Sequence, residues 1–288
     1  MNYLSFSTTE CWDKVTGFGC ASLGLPGVCD NSEQHIRTYP VALESVMLTG
    51  TYPELLEQAS SVANLRKVFA AIVVFGNAGG ENVFLRDLQK ILSCPMVGGG
   101  AAIDGATGRS GLIPGDGPAA VLLITDDRFL YETKTECIHD EILEECVIEM
   151  ADPRTILKIN GMDAAEYLAE KKAEKGLRMT DFEHMTLSDL RNVNAHLSCV
   201  DGVIKSGRDL DERMLLRYVS HHKVYERMDN FYNDPSAIVF GCAGLSGLLD
   251  KPLETPSLGL FLFGEVCTVD GVAEFGNLML SKLVIRPK

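Results

Sequence analysis

The sequence predicts an α/β protein of two related lobes, with mixed β-sheets and packed helices, and three observations carry that expectation. Short apolar runs such as "VFAAIVVF" and "AAVLLI" have the length and composition of strands that a sheet buries on both faces. Close to them, "ENVFLRDLQKIL" spaces Val83, Phe84, Leu88, Ile91 and Leu92 as a helix packed by one side. The stretch "AIVVFGNAGG" (Ala71 to Gly80) then returns as "AIVFGCAGL" (Ala237 to Leu245). After the first copy come a helix, "PMVG", a glycine-rich turn with Asp104 and the strand "AAVLLI". After the second come a shorter segment, "PSLG", a glycine-rich turn with Glu265 and "LMLSKLVI". One short match is within reach of chance, but the same order repeated predicts a duplicated strand–Gly turn–helix–strand unit.

The elements follow in chain order. Glycine and proline punctuate "TGFGCASLGLPGVCDN", and a strand in "VALESVML" and a helix from about Tyr52 to Leu65 come next. The echo "FGCASLGL" at Phe18 has no apolar strand before it and reads as coincidence. "CPMVGGGAAIDGATG" reads as a turn-rich span. "TILKING" reads as a strand ending in an Asn160-Gly161 turn. Asp163 is placed to cap a helix from Ala164 to Lys175, stopped by Gly176. Residues 177–235 are polar and ambiguous and are expected to hold the lobe junction, which divides the chain into 1–176 and 177–288.

Bulk composition narrows the function. A chain of 288 residues suits two lobes, and 46% hydrophobic with 23% charged residues is ordinary for a globular protein. Forty acids against 26 Lys and Arg leave a net charge of −14. That field repels phosphate backbones, and no polybasic run offers a hold on an anionic membrane, so neither nucleic acid nor membrane is an expected partner. No apolar run approaches the roughly 20 residues of a membrane helix, and no secretory signal opens the chain. A cytoplasmic address is expected. Nine cysteines without a C-x-x-C pair read as small buried thiols rather than a disulfide framework or zinc site.

The glycine run invites a nucleotide reading, which fails in detail. "GGGAAI" has Ile103 at the third glycine of a dinucleotide fingerprint, and "GAAIDGAT" has Ala106 at the lysine of a P-loop. Three glycines instead let backbone approach a neighbour closely. Cys137 and His139 would share a strand face with Cys146 nearby, a weak metal cluster, and no metal is expected. The adjacent His221 and His222 diverge in any regular structure. Cys242, at a strand end, raises a hydrolase alternative, but Phe240 is too bulky for a nucleophile elbow and the matching residue is Asn77. No catalytic residue is assigned.

Four segments, "CPMVGGGAAIDG", "ILKINGMDAAEYL", "IVFGCAGLSG" and "LGLFLFGEVCTVDG", resemble in that order the FIST family of sensory input modules. The shared positions are Gly98 to Ala101, Asn160-Gly161 with Ala164, Phe240, Cys242 to Gly244, and Gly264-Glu265, over a span from about Lys67 to the C-terminus. The resemblance implies a FIST N-like lobe over 1–176, a FIST C-like lobe over 177–288, and a small ligand such as an amino acid. With no output domain fused, it also implies a separate signalling partner. Some relatives are linked to haem-based sensing, which makes haem an alternative with His184, His196, His221 or His222 as an axial ligand. This chain keeps Asn277 but has Gly276 where the family pattern has a histidine. The expected ligand-binding set is Asn77, Gly79, Gly99, Gly100, Asp104, Cys242, Gly244, Gly264, Glu265 and Asn277. Turn amides at Asn77 to Gly80 and Cys242 to Leu245 would take an anion, and Asp104 with Glu265 an ammonium.

Overall fold

The computed structural model describes residues 5–6, 21–22, 43–76, 79–101, 117–246, 248–249, 258–262 and 264–288. Its first strands are β1 (Ser5–Phe6), β2 (Ala21–Ser22), β3 (Ser45–Gly50), β4 (Ala70–Phe75), β5 (Met96–Gly100), β6 (Ala119–Ile124) and β7 (Phe129–Cys137). There follow β8 (Glu141–Asp152), β9 (Thr155–Ile159), β10 (Met162–Asp163), β11 (Met185–Ser188), β12 (Asn194–Ala195), β13 (Leu197–Val200), β14 (Val203–Ser206) and β15 (Arg213–Tyr218). The last are β16 (Ala237–Cys242), β17 (Leu258–Leu262), β18 (Glu265–Val269), β19 (Val272–Gly276) and β20 (Met279–Pro287). The helices are α1 (Tyr52–Leu65), α2 (Glu81–Leu92), α3 (Ala164–Glu174), α4 (His221–Tyr232) and the single turn α5 (Ala243–Ser246). The fold is therefore mixed α/β, and no described helix is long and apolar enough to cross a membrane.

Apolar alternation builds the layers. In β4, Ala71, Val73 and Phe75 pack with Leu55 of α1 and with Phe84, Leu85 and Leu88 of α2. Ala70, Ile72 and Val74, on the opposite face, pack with Ile238 and Phe240 of β16 and with Leu283 of β20. Beyond that second sheet, Val239, Leu280 and Val284 pack with Val224, Met228 and Phe231 of α4. The order is helices, sheet, sheet, helices, with strands spaced so that successive side chains serve opposite layers. Helix ends are set locally: Thr51 N donates to Glu54 Oε2 at 2.8 Å, and Asp163 Oδ1 accepts from Ala165 N at 3.0 Å. In α2, Val83 is 58% exposed; Phe84 and Leu85, not Val83, turn inward with Leu88 and Leu92.

The six-stranded sheet runs β19-β18-β5-β4-β6-β3 and the four-stranded sheet β17-β16-β20-β7. Within them, β5-β4-β6-β3 and β17-β16-β20-β7 share one pattern, a parallel pair followed by two antiparallel ones. In each path a helix precedes the central strand and another follows it, α1 and α2 around β4, α4 and α5 around β16.

An eight-stranded sheet, β12-β11-β15-β8-β9-β14-β13 with β10 on β9, has its own core with α3, including Ile148, Leu168, Leu187 and Leu216. It takes β8 to β10 from before residue 176 and β11 to β15 from after it.

The glycine run is a strand, not a turn. A Cβ on Gly98, whose φ is +136°, would lie 1.8 Å from the Val73 carbonyl oxygen. Only glycine lets β5 lie against β4 and also pair with β18. Gly98→Ala is accordingly expected to cost more than about 3 kcal/mol, read by urea unfolding. Gly161→Ala, at φ +81° with nothing within 4 Å, serves as the comparison and should cost about 1 kcal/mol.

Candidate functional site

Two ladders bring part of the expected set together. Gly99 stands opposite Glu265 where β5 meets β18, and Gly100 N donates to Gly264 O at 2.9 Å. Glu265 is fully buried; its Oε2 accepts from Met279 N at 3.1 Å, and Oε1 has no hydrogen-bond partner. Burial holds its carboxyl well above the usual carboxylate range, against the pull of the Met279 amide and the neighbouring Cys242 thiol. Cys242 closes β16 and is also buried. Burial, then the Glu265 carboxyl, pushes its thiol up, while the amides of Leu278, Gly244 and Gly264 favour the thiolate. Desolvation outweighs these hydrogen bonds at both groups and favours the protonated acid and thiol. That environment opposes a nucleophilic Cys242.

The connection from β19 to β20 explains the convergence. Leu278 has φ +53°, in the left-handed region that is uncommon for a leucine. The turn aims successive amides inward, Leu278 at Cys242 and Met279 at Glu265. Its neighbour Asn277 is clamped: its Oδ1 accepts from His196 N at 3.3 Å, and its own N donates to Asn194 O at 3.0 Å. Gly207 and Gly264 leave room for this amide, since a Cβ on them would lie 2.6 Å from Asn277 Oδ1 and 2.9 Å from Asn277 Nδ2. Gly244 packs similarly, a Cβ there falling 3.1 Å from Leu278 Cδ2.

Behind the turn lies a network that sequence reasoning missed. Asn194 Nδ2 donates to Leu278 O at 3.2 Å and contacts His139 Nδ1 at 3.3 Å, while Asn194 Oδ1 accepts from Cys137 Sγ at 3.3 Å. His139 Nε2 is 2.8 Å from Glu183 O. One tautomer satisfies every contact, with Nε2–H donating to the carbonyl and Nδ1 accepting from the amide. His139 lies between β7 and β8 rather than on a strand, so it shares no strand face with Cys137. Cys146 is elsewhere, beside Tyr167 Oη at 3.4 Å. Among the described residues no three His, Cys, Asp or Glu side chains are grouped to hold a metal.

The remaining expected residues stand apart. Gly79 is exposed before α2, with its amide on Glu81 and its carbonyl accepting from Tyr52 Oη at 3.1 Å. Asn77 and Asp104 lie outside the described residues. The Cys242 turn leads into a helix of only four residues, and the Gly244 amide faces the Cys242 sulfur. Of the histidines, His139 has both nitrogens engaged, His184 is buried with Nδ1 on Val219 O at 3.0 Å, the backbone N of His196 donates to Asn277 Oδ1, and His221 and His222 are exposed on the first turn of α4.

No protein-family model matches the chain, and no curated protein matches it.

Burial depresses His139 to about 4, helped by His184 and Arg217 and opposed by its contact with Glu183. The unfolded imidazole binds a proton below about 6.5, so stability is present at neutral pH and is lost as pH falls towards 4. From pH 7 to 4.5 the wild type should lose about 2–3 kcal/mol more than His139→Gln, measured by urea unfolding at each pH.

Proposed function

We propose that this chain is a FIST-type cytoplasmic sensory protein that binds a small polar molecule of the amino-acid class and signals through a separate protein. The observation that carries this reading is Glu265, a fully buried carboxyl with one oxygen unpaired, set among glycine backbone from both halves of the chain. Gly99 stands opposite it and Gly100 bonds its neighbour Gly264 from one half, while Cys242 adjoins it from the other, with Gly244 packed on Cys242 and Asn277 on Gly264. The two matching strand paths support a duplicated scaffold, with the site where the copies meet.

The physical chemistry sets how a ligand would bind. A neutral carboxylic acid attracts an ammonium weakly, but an arriving cation favours ionisation, so Glu265 gives up its proton as the ligand seats. Binding is therefore coupled to proton release and strengthens as pH rises. Calorimetric titration with an amino-acid and dipeptide panel, in two buffers of different ionisation enthalpy, measures both effects. A binder should release protons as it binds, and Glu265→Gln should weaken it by at least about tenfold. No binder in the panel, or unchanged affinity in Glu265→Gln, rules the reading out.

A further inference from the structure

A polar cleft lies on the four-stranded sheet, and none of its lining residues belongs to the Glu265 cluster. It is a cleft of about 400 Å³ lined by Lys134, Thr135, Glu136, Asn230, Phe231 and Lys282. Lys282 on β20 stands directly opposite Lys134 on the edge strand β7. Their strand neighbours Leu280 and Val284 pack against α4, so both lysines project on the α4 side. Like charges directly opposite each other across an antiparallel pair repel. In a chain with net charge −14 such a pair is an unexpected concentration of positive charge.

Nearby acids do not neutralise it fully. Glu136 is held by Arg227 at 3.1 Å, and Glu132 lies 3.9 Å from Arg286. Lys282 is 7% exposed, donates to Phe231 O at 2.9 Å at the end of α4, and is 3.6 Å from Asp234 Oδ2. Lys134 is exposed and has no acid within ion-pair distance among the described residues. Asn230 offers an exposed amide on the opposite wall.

We propose that this cleft binds a small oxyanion, a phosphate or carboxylate group bridging Lys134 and Lys282, with the Asn230 amide as a further donor. Two lysines directly opposed on adjacent strands can share one anion, whose charge offsets their mutual repulsion. Phe231 forms an apolar wall against which the rest of such a ligand would lie.

The test uses the full chain at pH 7 and constant ionic strength, comparing melting temperatures in chloride, inorganic phosphate and acetate. Phosphate, acetate or both should raise the wild-type value by about 2–5 °C at saturation. A rise with one alone identifies the group recognised. Lys134→Met, and separately Asn230→Ala, alter exposed positions and should remove or reduce the rise. No rise in either anion, or a rise undiminished in Lys134→Met, overturns the proposal. Failure here leaves the Glu265 site untouched, since the two share no residue.

Discussion

The contact between Gly98 and the Val73 carbonyl is the constraint on which the arrangement of the two halves depends. A side chain there would collide with backbone, which has no rotamer to offer in relief. With hydrogen in its place, β5 pairs with β4 from its own half and with β18 from near the C-terminus. The register that follows puts Glu265 opposite Gly99. A buried acid is thus positioned by the absence of side chains along its partner strand.

The Glu265 cluster combines strain and satisfaction. Leu278 adopts a costly backbone conformation, and the return is two amides aimed at a sulfur and a carboxyl. Asn194 fixes the Leu278 carbonyl, and His139 fixes Asn194, so the turn is held from behind by partners that themselves make hydrogen bonds. Within this cluster the unpaired oxygen of Glu265 is the exception. Buried polar atoms without partners are rare, and this one is surrounded by engaged groups.

How much was legible in the sequence depended on whether the signal was local. The spans of α1 and α2 followed from apolar period and turn residues, and the Asn160-Gly161 turn and Asp163 cap from residue type alone. The fully buried strands β4, β6 and β16 were also plain, because their apolar runs are continuous. Strands β7 and β8 were not: their burial alternates with exposed charged residues, so no continuous apolar run marks them. The close approach of the glycine run was legible, but not that it is made within a strand, because the partner that fixes it, Val73, is distant in sequence. Gly99, Cys242, Gly264 and Glu265 could be singled out from motif and repeat. Asn194 could not, and His139 stood out only beside Cys137, since Asn194 meets Leu278 and His139 through long excursions of the chain.

The eight-stranded sheet has a further consequence for how this protein is put together. Strand β7 ends at Cys137 and α4 begins at His221, yet Arg217 Nη1 donates to His139 O at 3.0 Å. The chain leaves the four-stranded path and returns to it at nearly one point, having built a separate core meanwhile. Such a segment is an insertion in the architectural sense: its size is free to vary without stretching the host, because only the distance between its two ends is fixed. Its inner tip is tied to the host by Asn194, so the excursion also delivers a residue to the turn behind Glu265.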